Sequence, residues 1–302
     1  MSTTSVGRHL PFGIQSLPNL SESNGWVWCH AAGAISLHQV VVMGILNVTP
    51  DSFSDGGNFV DVDAAVTRAL EMDAEGAAII DIGGESTRPG YQPVSAEEEL
   101  RRVLPVLEAL QGRVQAALSI DTSKAEVARE ALRRGAVIVN DQWGLKRDPK
   151  MARLIGGHGA GVVLMHNRTD RHYRDFWPNL LADLEASLFL ARQAGIDETQ
   201  IVLDPGIGFA KSLQQNLAVA ARVDRVAALG YPVLVGPSRK SFIGRTLDLP
   251  VQEREEGTAA AVACAVLYGA RIVRVHDVKA MVRVARMAEA LREAASVEQP
   301  QA

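Results

Sequence analysis

The sequence predicts a (β/α)8 TIM barrel with an N-terminal extension. Three observations predict it. Eight short runs rich in β-branched residues alternate with eight stretches of helical composition, which implies a parallel sheet with helical crossovers. Eight is the number of strands that closes such a sheet into a barrel. The 302 residues suit one unit of that size. An open doubly wound sheet is the alternative, but it usually has fewer strands, and no GxGxxG follows the first run.

Taken in order, residues 1–38 lack clear periodicity and carry Gly, Ser, Pro and Asn around Trp26 and Trp28. They are read as an extension, with a short hairpin covering the bottom of the core. The barrel is placed at 39–291. Its first strand is VVVMGIL (40–46), followed by the loop NVTPDSFSDGG (47–57) and the helix DAAVTRALEMDAEG (63–76). The second strand, AAIIDIG (77–83), leads through GGESTRPG (83–90) to AEEELRRVLPVLEALQG (96–112). Then come AALSID (116–121) with KAEVAREALRRG (124–135), AVIVND (136–141), and GVVLMH (161–166) with PNLLADLEASLFLARQAG (178–195). QIVLDP (200–205), PVLVGP (232–237) and RIVRVH (271–276) complete the strands, and KAMVRVARMAEALREA (279–294) is the last helix. Apolar residues recur at three- and four-residue spacing in the helical stretches, so each has one face for the core. Several close on a glycine, as helix C-termini often do. Residues 292–302 are read as a polar tail.

Bulk properties narrow the function. A net charge of -4 argues against a nucleic-acid partner, which usually meets a basic surface. No apolar run reaches the roughly 18 residues of a membrane span, and the first residues do not read as a secretion signal. The two cysteines, Cys29 and Cys264, lie far apart without metal-binding neighbours, as reduced thiols of a cytoplasmic protein would.

In a barrel of this class the chemistry sits at the C-terminal ends of the strands. The runs end on Asn47, Asp81, Asp121, Asn140 with Asp141, Met165 with His166, Asp204, Ser238 with Lys240, and Arg274 with His276. A single Asp after a strand serves equally as a helix N-cap, but so many polar groups at one rim exceed what capping needs. Asn and Asp can read the edge of a flat heterocycle. Lys240 and Arg274 offer positive charge to an anionic leaving group. His276 can donate to a phosphate oxygen or serve as a satisfied structural histidine. The loops 47–57 and 83–90 combine glycines with hydroxyls and charges and are read as lids over a second-substrate site.

These motifs carry a resemblance. MGILNVTPDSFSDGG (43–57), DIGGESTRPG (81–90), SIDTSKAEVA (119–128), VND (139–141), LMH (164–166), LDPGIGFAKS (203–212), GPSRKSFIG (236–244) and RVHDV (274–278) resemble, in order and spacing, the signature stretches of the dihydropteroate synthases, a family of pterin-binding enzymes. The resemblance covers about residues 40–290. It implies condensation of a pterin-methyl diphosphate with 4-aminobenzoate, releasing pyrophosphate, with Mg2+ as cofactor and a homodimer as the assembly. It also implies that sulfonamides compete with the aminobenzoate. By resemblance, Asp121, Asn140, Asp204 and Lys240 bond the pterin ring, Met165 and Phe209 line its slot, and Arg274 stacks on it while reaching the diphosphate. Asn47, Arg88 and His276 hold the diphosphate, with Mg2+ at Asn47. Thr87, Arg88, Pro89 and Ser241 frame the aminobenzoate beneath Phe53, and Asp51 organises the first loop and its metal. Asp121, Lys240, Arg274 and Asp51 form the implied catalytic set. The chain departs from the family pattern at Gln142 and Trp143, at Asn167, and at Ala210, where Gly is usual. A related methyltransferase would share the ring-binding residues without needing the SRKS and RVH cations. A non-catalytic pterin-binding paralogue would not need the intact loops.

Overall fold

A computed structural model of the chain describes residues 26–49, 62–85 and 93–297. Eight parallel strands form its centre: β3 (Val41–Asn47), β4 (Ile79–Gly83), β5 (Ala117–Asp121), β6 (Ile138–Asp141), β7 (Gly161–Met165), β8 (Ile201–Asp204), β9 (Leu234–Val235) and β10 (Ile272–Val275). They pair in the order β8-β7-β6-β5-β4-β3-β10-β9, and a single parallel bridge from Leu203 to Val233 joins the two ends into a barrel. The run expected at 232–237 is regular only at its middle two residues. Pro232 and Pro237 flank it and lack the N–H donors a longer ladder needs.

Around the strands lie α1 (Val62–Glu75), α2 (Ala96–Leu110), α3 (Ala125–Arg133), α4 (Met151–His158), α5 (Phe176–Gln193), α6 (Leu213–Ala220), α7 (Asp224–Ala227), α8 (Ser241–Leu247), α9 (Glu255–Leu267) and α10 (Val278–Val297). On α2, Val103, Val106, Leu107 and Leu110 form the buried stripe, and Ser95 caps its start by accepting from Glu98 N.

Strand side chains alternate between faces. Val42, Leu46, Ile80, Ile82, Leu118, Ile120, Leu164, Leu203 and Val273 point outward into one cluster with the helices. The intervening positions point into the barrel. Lower down, these are Met43, Ile79, Ile138, Val163, Val202, Leu234 and Ile272, which form a second, separate cluster. Two residues further along the strands the inner layer turns polar: Asp81, Ser119, Asn140, Asp204 and Arg274. One step of the two-residue period thus separates an apolar floor from a polar mouth.

The floor is closed from below by an antiparallel hairpin, β1 (Val27–His30) with β2 (Gly33–Ser36). Trp28 and Leu37 are fully buried in the floor cluster. The indole Nε1 donates to Gln200 O at 2.8 Å, and Gln200 in turn donates to Ala160 O at 2.9 Å, so the buried indole N–H is satisfied. Among the described residues, no helix is long and apolar enough to cross a membrane.

Candidate active site

The polar layer at the mouth is a connected network centred on Asp81. This carboxylate is fully buried. Ser119 Oγ donates to its Oδ1 at 2.6 Å, while Asn140 Nδ2 and Arg274 Nε donate to its Oδ2 at 2.8 and 2.6 Å. The Arg274 fork then reaches a second carboxylate, with Nη2 donating to Asp121 Oδ2 at 2.6 Å. The other Asp121 oxygen accepts from Gln142 Nε2 at 2.5 Å. Four strands, β4, β5, β6 and β10, are thereby tied together at their C-terminal ends.

Burial and charge act against each other here. Burial pushes the Asp121 carboxyl up to about 7, opposed by Arg274 and reinforced by Asp81. Burial opposes the charge on Arg274, yet Asp81 and Asp121 together hold it above its ordinary value. Asp204 is likewise pushed up by burial, against the pull of Lys240 and the Gly206 N–H, which donates to Asp204 Oδ1 at 2.7 Å. Lys240 is lowered by burial to about 8, with Asp204 working in the opposite direction.

The turn after β8 brings a second group of residues to the rim. Gly206 has φ 69°, and a Cβ there would collide with His166 O, so only glycine fits. Lys240 donates to Ile207 O, and its Nζ lies 4.7 Å from the centre of the Phe209 ring. Met165 ends β7 in register with Asp204. Beneath the turn, the buried Lys211 Nζ faces His166 Nδ1 at 2.9 Å and donates to Gly206 O at 3.0 Å and Phe209 O at 3.2 Å. His166 Nε2 faces Asp183 Oδ2 on α5 at 3.0 Å.

Of the residues expected at the site, Asp121, Asn140, Met165, Asp204, Phe209, Lys240 and Arg274 therefore meet at one mouth. Asn47 ends β3 on the same rim. His276 Nδ1 lies 2.9 Å from Ser238 Oγ, which also accepts from His276 N. Ser241 starts α8 next to Lys240 and is exposed. Asp51, Phe53, Thr87, Arg88 and Pro89 lie outside the described residues. Asp141, counted with the rim in the sequence, bonds the backbone N–H groups of Trp143 and Leu145 instead, a turn-capping role.

Sequence reasoning gave no role to Asp81 and Ser119, though it counted Asp81 on the rim; it noted Gln142 only as a departure from the family pattern, and it passed over Lys211 and the pairing of the rim residue His166 with Asp183. The two-residue alternation along β4 and β5 carries the signal for the first two, because it places Asp81 and Ser119 on the same inner face as Asp121. No local pattern marks the reach of Gln142 across to the neighbouring strand.

Comparison with known proteins agrees with this geometry. A family model described as pterin binding enzyme matches residues 43–276. The dihydropteroate synthase of Bacillus subtilis (strain 168) is 54% identical over 253 residues, covering 84% of this chain and 89% of that protein. A solved dihydropteroate synthase from Xanthomonas albilineans in complex with 7,8-dihydropteroate is 40% identical with a TM-score of 0.81, covering 91% of this chain and 100% of that one. The Yersinia pestis enzyme solved with a sulfonamide drug is 40% identical with a TM-score of 0.83, covering 88% and 99%. With the polar mouth on the barrel and the matched segment running from β3 to β10, the chain belongs to the pterin-binding enzyme family.

Proposed function

We propose that the chain is a dihydropteroate synthase, joining 6-hydroxymethyl-7,8-dihydropterin diphosphate to 4-aminobenzoate to give 7,8-dihydropteroate and pyrophosphate. The observation that carries this reading is the pairing of buried carboxylates with half-buried cations at the barrel mouth: Asp81, Asp121 and Asp204 against Arg274 and Lys240. The relative solved with 7,8-dihydropteroate supports it.

The reaction breaks the bond from the pterin methylene carbon to the diphosphate oxygen, and the electron pair leaves with pyrophosphate. The delocalised cation left behind is attacked by the aromatic amine, which forms the new C–N bond and gives up a proton. No side-chain nucleophile is required. The barrier falls through charge placed on both sides of the breaking bond. Asp121 offers negative charge to the cationic pterin. Asp204 suits the two adjacent N–H donors of a 2-amino-4-oxo ring, and Asn140 and Lys240 meet the rest of its edge. Met165 and Phe209 bound the slot. Arg274, anchored by Asp81, faces the leaving anion together with His276. Asn47 and Arg88 complete the diphosphate site in this reading, and Phe53, Thr87, Arg88, Pro89 and Ser241 frame the aminobenzoate.

Asn47 is the side chain that would hold Mg2+, with Asp51 organising the first loop beside it. Among the described residues, no group of three or more His, Cys, Asp or Glu side chains could hold a metal. A single amide oxygen at the rim fits an ion whose other ligands are substrate phosphate oxygens and water, as Mg2+ commonly uses. When bound, the ion adds positive charge at the leaving group.

The proposal also covers a cytoplasmic homodimer; the exposed Met287 and Leu291, one turn apart on α10, support an apolar contact there. Sulfonamides should compete with aminobenzoate, as the relative solved with such a drug supports. Pyrophosphate release with both substrates tests the reading, with Lys240→Ala as the control: it should remain folded and lose most turnover. No pyrophosphate from the wild-type chain would overturn it.

A further inference from the structure

Gln142 is a half-buried side chain in the turn after β6, and its position against Asp121 gives it a part in the reaction. The amide is placed with Nε2 donating to Asp121 Oδ1 at 2.5 Å and with Oε1 turned elsewhere. Among the described residues, no hydrogen bond to Oε1 is formed. Asp121 Oδ2 is taken by Arg274 at 2.6 Å. The carboxylate is thus clamped from both sides, by a cation on β10 and by a neutral amide on the β6 turn.

We propose that Gln142 is a positioning residue for the pterin half-reaction: it holds the Asp121 carboxylate in its rotamer and in its charged form, and leaves an amide oxygen beside it as a further acceptor for the ring. The inference rests on the function proposed above. A neutral donor has a particular advantage at this point. The groups facing Asp121 are Arg274 from β10, Asp81 from β4, Glu99 from α2 and Lys240 from the turn after β9. Asp81 and Glu99 push toward the protonated acid, whereas Arg274 and Gln142 favour the carboxylate. Gln142 does so without adding a positive charge, which would repel a cationic pterin. An apolar side chain in its place would leave Asp121 Oδ1 without a donor, and a protonated Asp121 would offer a developing cation no negative charge.

The direction of the effect follows. Removing a donor that favours the charged form raises the Asp121 pKa further, so the acid limb of kcat/KM moves to higher pH. The experiment compares Gln142→Leu and Gln142→Glu with the wild-type chain across pH, varying each substrate separately. Gln142→Leu should shift the acid limb upward by about one pH unit, a tenfold loss of kcat/KM for the pterin substrate on that limb. The deficit should shrink as pH rises, while KM for aminobenzoate and the melting temperature stay unchanged. Gln142→Glu, which sets a second carboxylate against Asp121, should shift the limb further in the same direction. Should Gln142→Leu not fold, Gln142→Met carries the same comparison. Profiles that superimpose on the wild type, or a loss equal at every pH, would overturn the assignment. If the wild-type chain itself releases no pyrophosphate, the functional reading fails instead, so the two failures are distinguishable.

Discussion

Ala210 has φ 47° and Arg239 has φ 55°, the left-handed region that costs an ordinary L residue about 1–2 kcal/mol. Both sit beside the mouth, where strain persists only if neighbours fix it. Arg239 is fixed by a two-bond contact with Asp277 and by Thr258 Oγ1, which accepts from its N–H. At Ala210 the backbone O accepts from Tyr173 OH at 3.1 Å. Ala210→Gly should relieve the strain, offset in part by the looser unfolded chain, and raise the melting temperature by about 1–2 °C; an unchanged or lower midpoint by calorimetry would count against it. In the proposed reaction, the ionisation of Asp121 and of Lys240 sets the pH range. Asp121 must be ionised, and burial has pushed it up to about 7, so activity should rise as pH increases through that value. Lys240 must be charged, and burial has brought it down to about 8, so activity should fall above that. kcat/KM for the pterin substrate should therefore peak in a narrow window between about 7 and about 8, because this parameter reports groups on the free enzyme. A flat profile from 6 to 9 would remove these two groups from the rate expression.

Among the elements, the turn after β8 has the most elaborate support. Lys211 Nζ donates to Gly206 O and Phe209 O and faces His166 Nδ1, while burial lowers its pKa to about 7. The Asp183 carboxylate only accepts, which places the His166 proton on Nε2 and leaves Nδ1 as the acceptor toward Lys211. Burial and the neighbouring Lys211 keep the imidazole neutral, lowered to about 3. Helix α5 thus braces the turn that carries Phe209 and receives Lys240. Lys211→Met should raise KM for the pterin substrate by about tenfold, or ~1.4 kcal/mol, and leave KM for aminobenzoate unchanged; equal effects on both would mean a general loss of fold. This support was not legible in the sequence. The strands were, because β-branched runs between glycine-ended helices record a local preference. The convergence of Lys211, His166 and Asp183 comes from three separate segments and appears only when the barrel closes. Asp81 lies between these cases: the alternation along IIDIG shows its direction, and only the fold shows its partners.

For the molecule as a whole, the barrel has two ends with opposite demands. The mouth concentrates charge that binding can use, and the floor must exclude water from a cluster of seven strand residues beneath it. None of the candidate site residues lies within residues 1–36, so by the sequence alone deleting them should leave measurable activity. The structure locates Trp28 and Leu37 inside the floor. A chain that starts at residue 26 keeps this hairpin and serves as the reference. Deletion through residue 36 uncovers the floor and should cost about 3–5 kcal/mol, the scale of losing a buried aromatic, seen as a drop in the midpoint of thermal unfolding. Equal midpoints for the two truncations would show that the hairpin is dispensable. The plug also divides the chain's optical signals by location. Of its four tryptophans, Trp28 is sealed beneath the floor, while Trp143 is half-buried in the turn beside Gln142, with the Arg147 guanidinium 5.2 Å from its ring centre. Ligands entering at the top should alter emission from the Trp143 side and leave the short-wavelength light of Trp28 untouched, whereas loss of the hairpin should shift Trp28 to the red. With Trp26 and Trp177 replaced by Phe, a single emission spectrum then reports occupancy at one end of the barrel and integrity at the other.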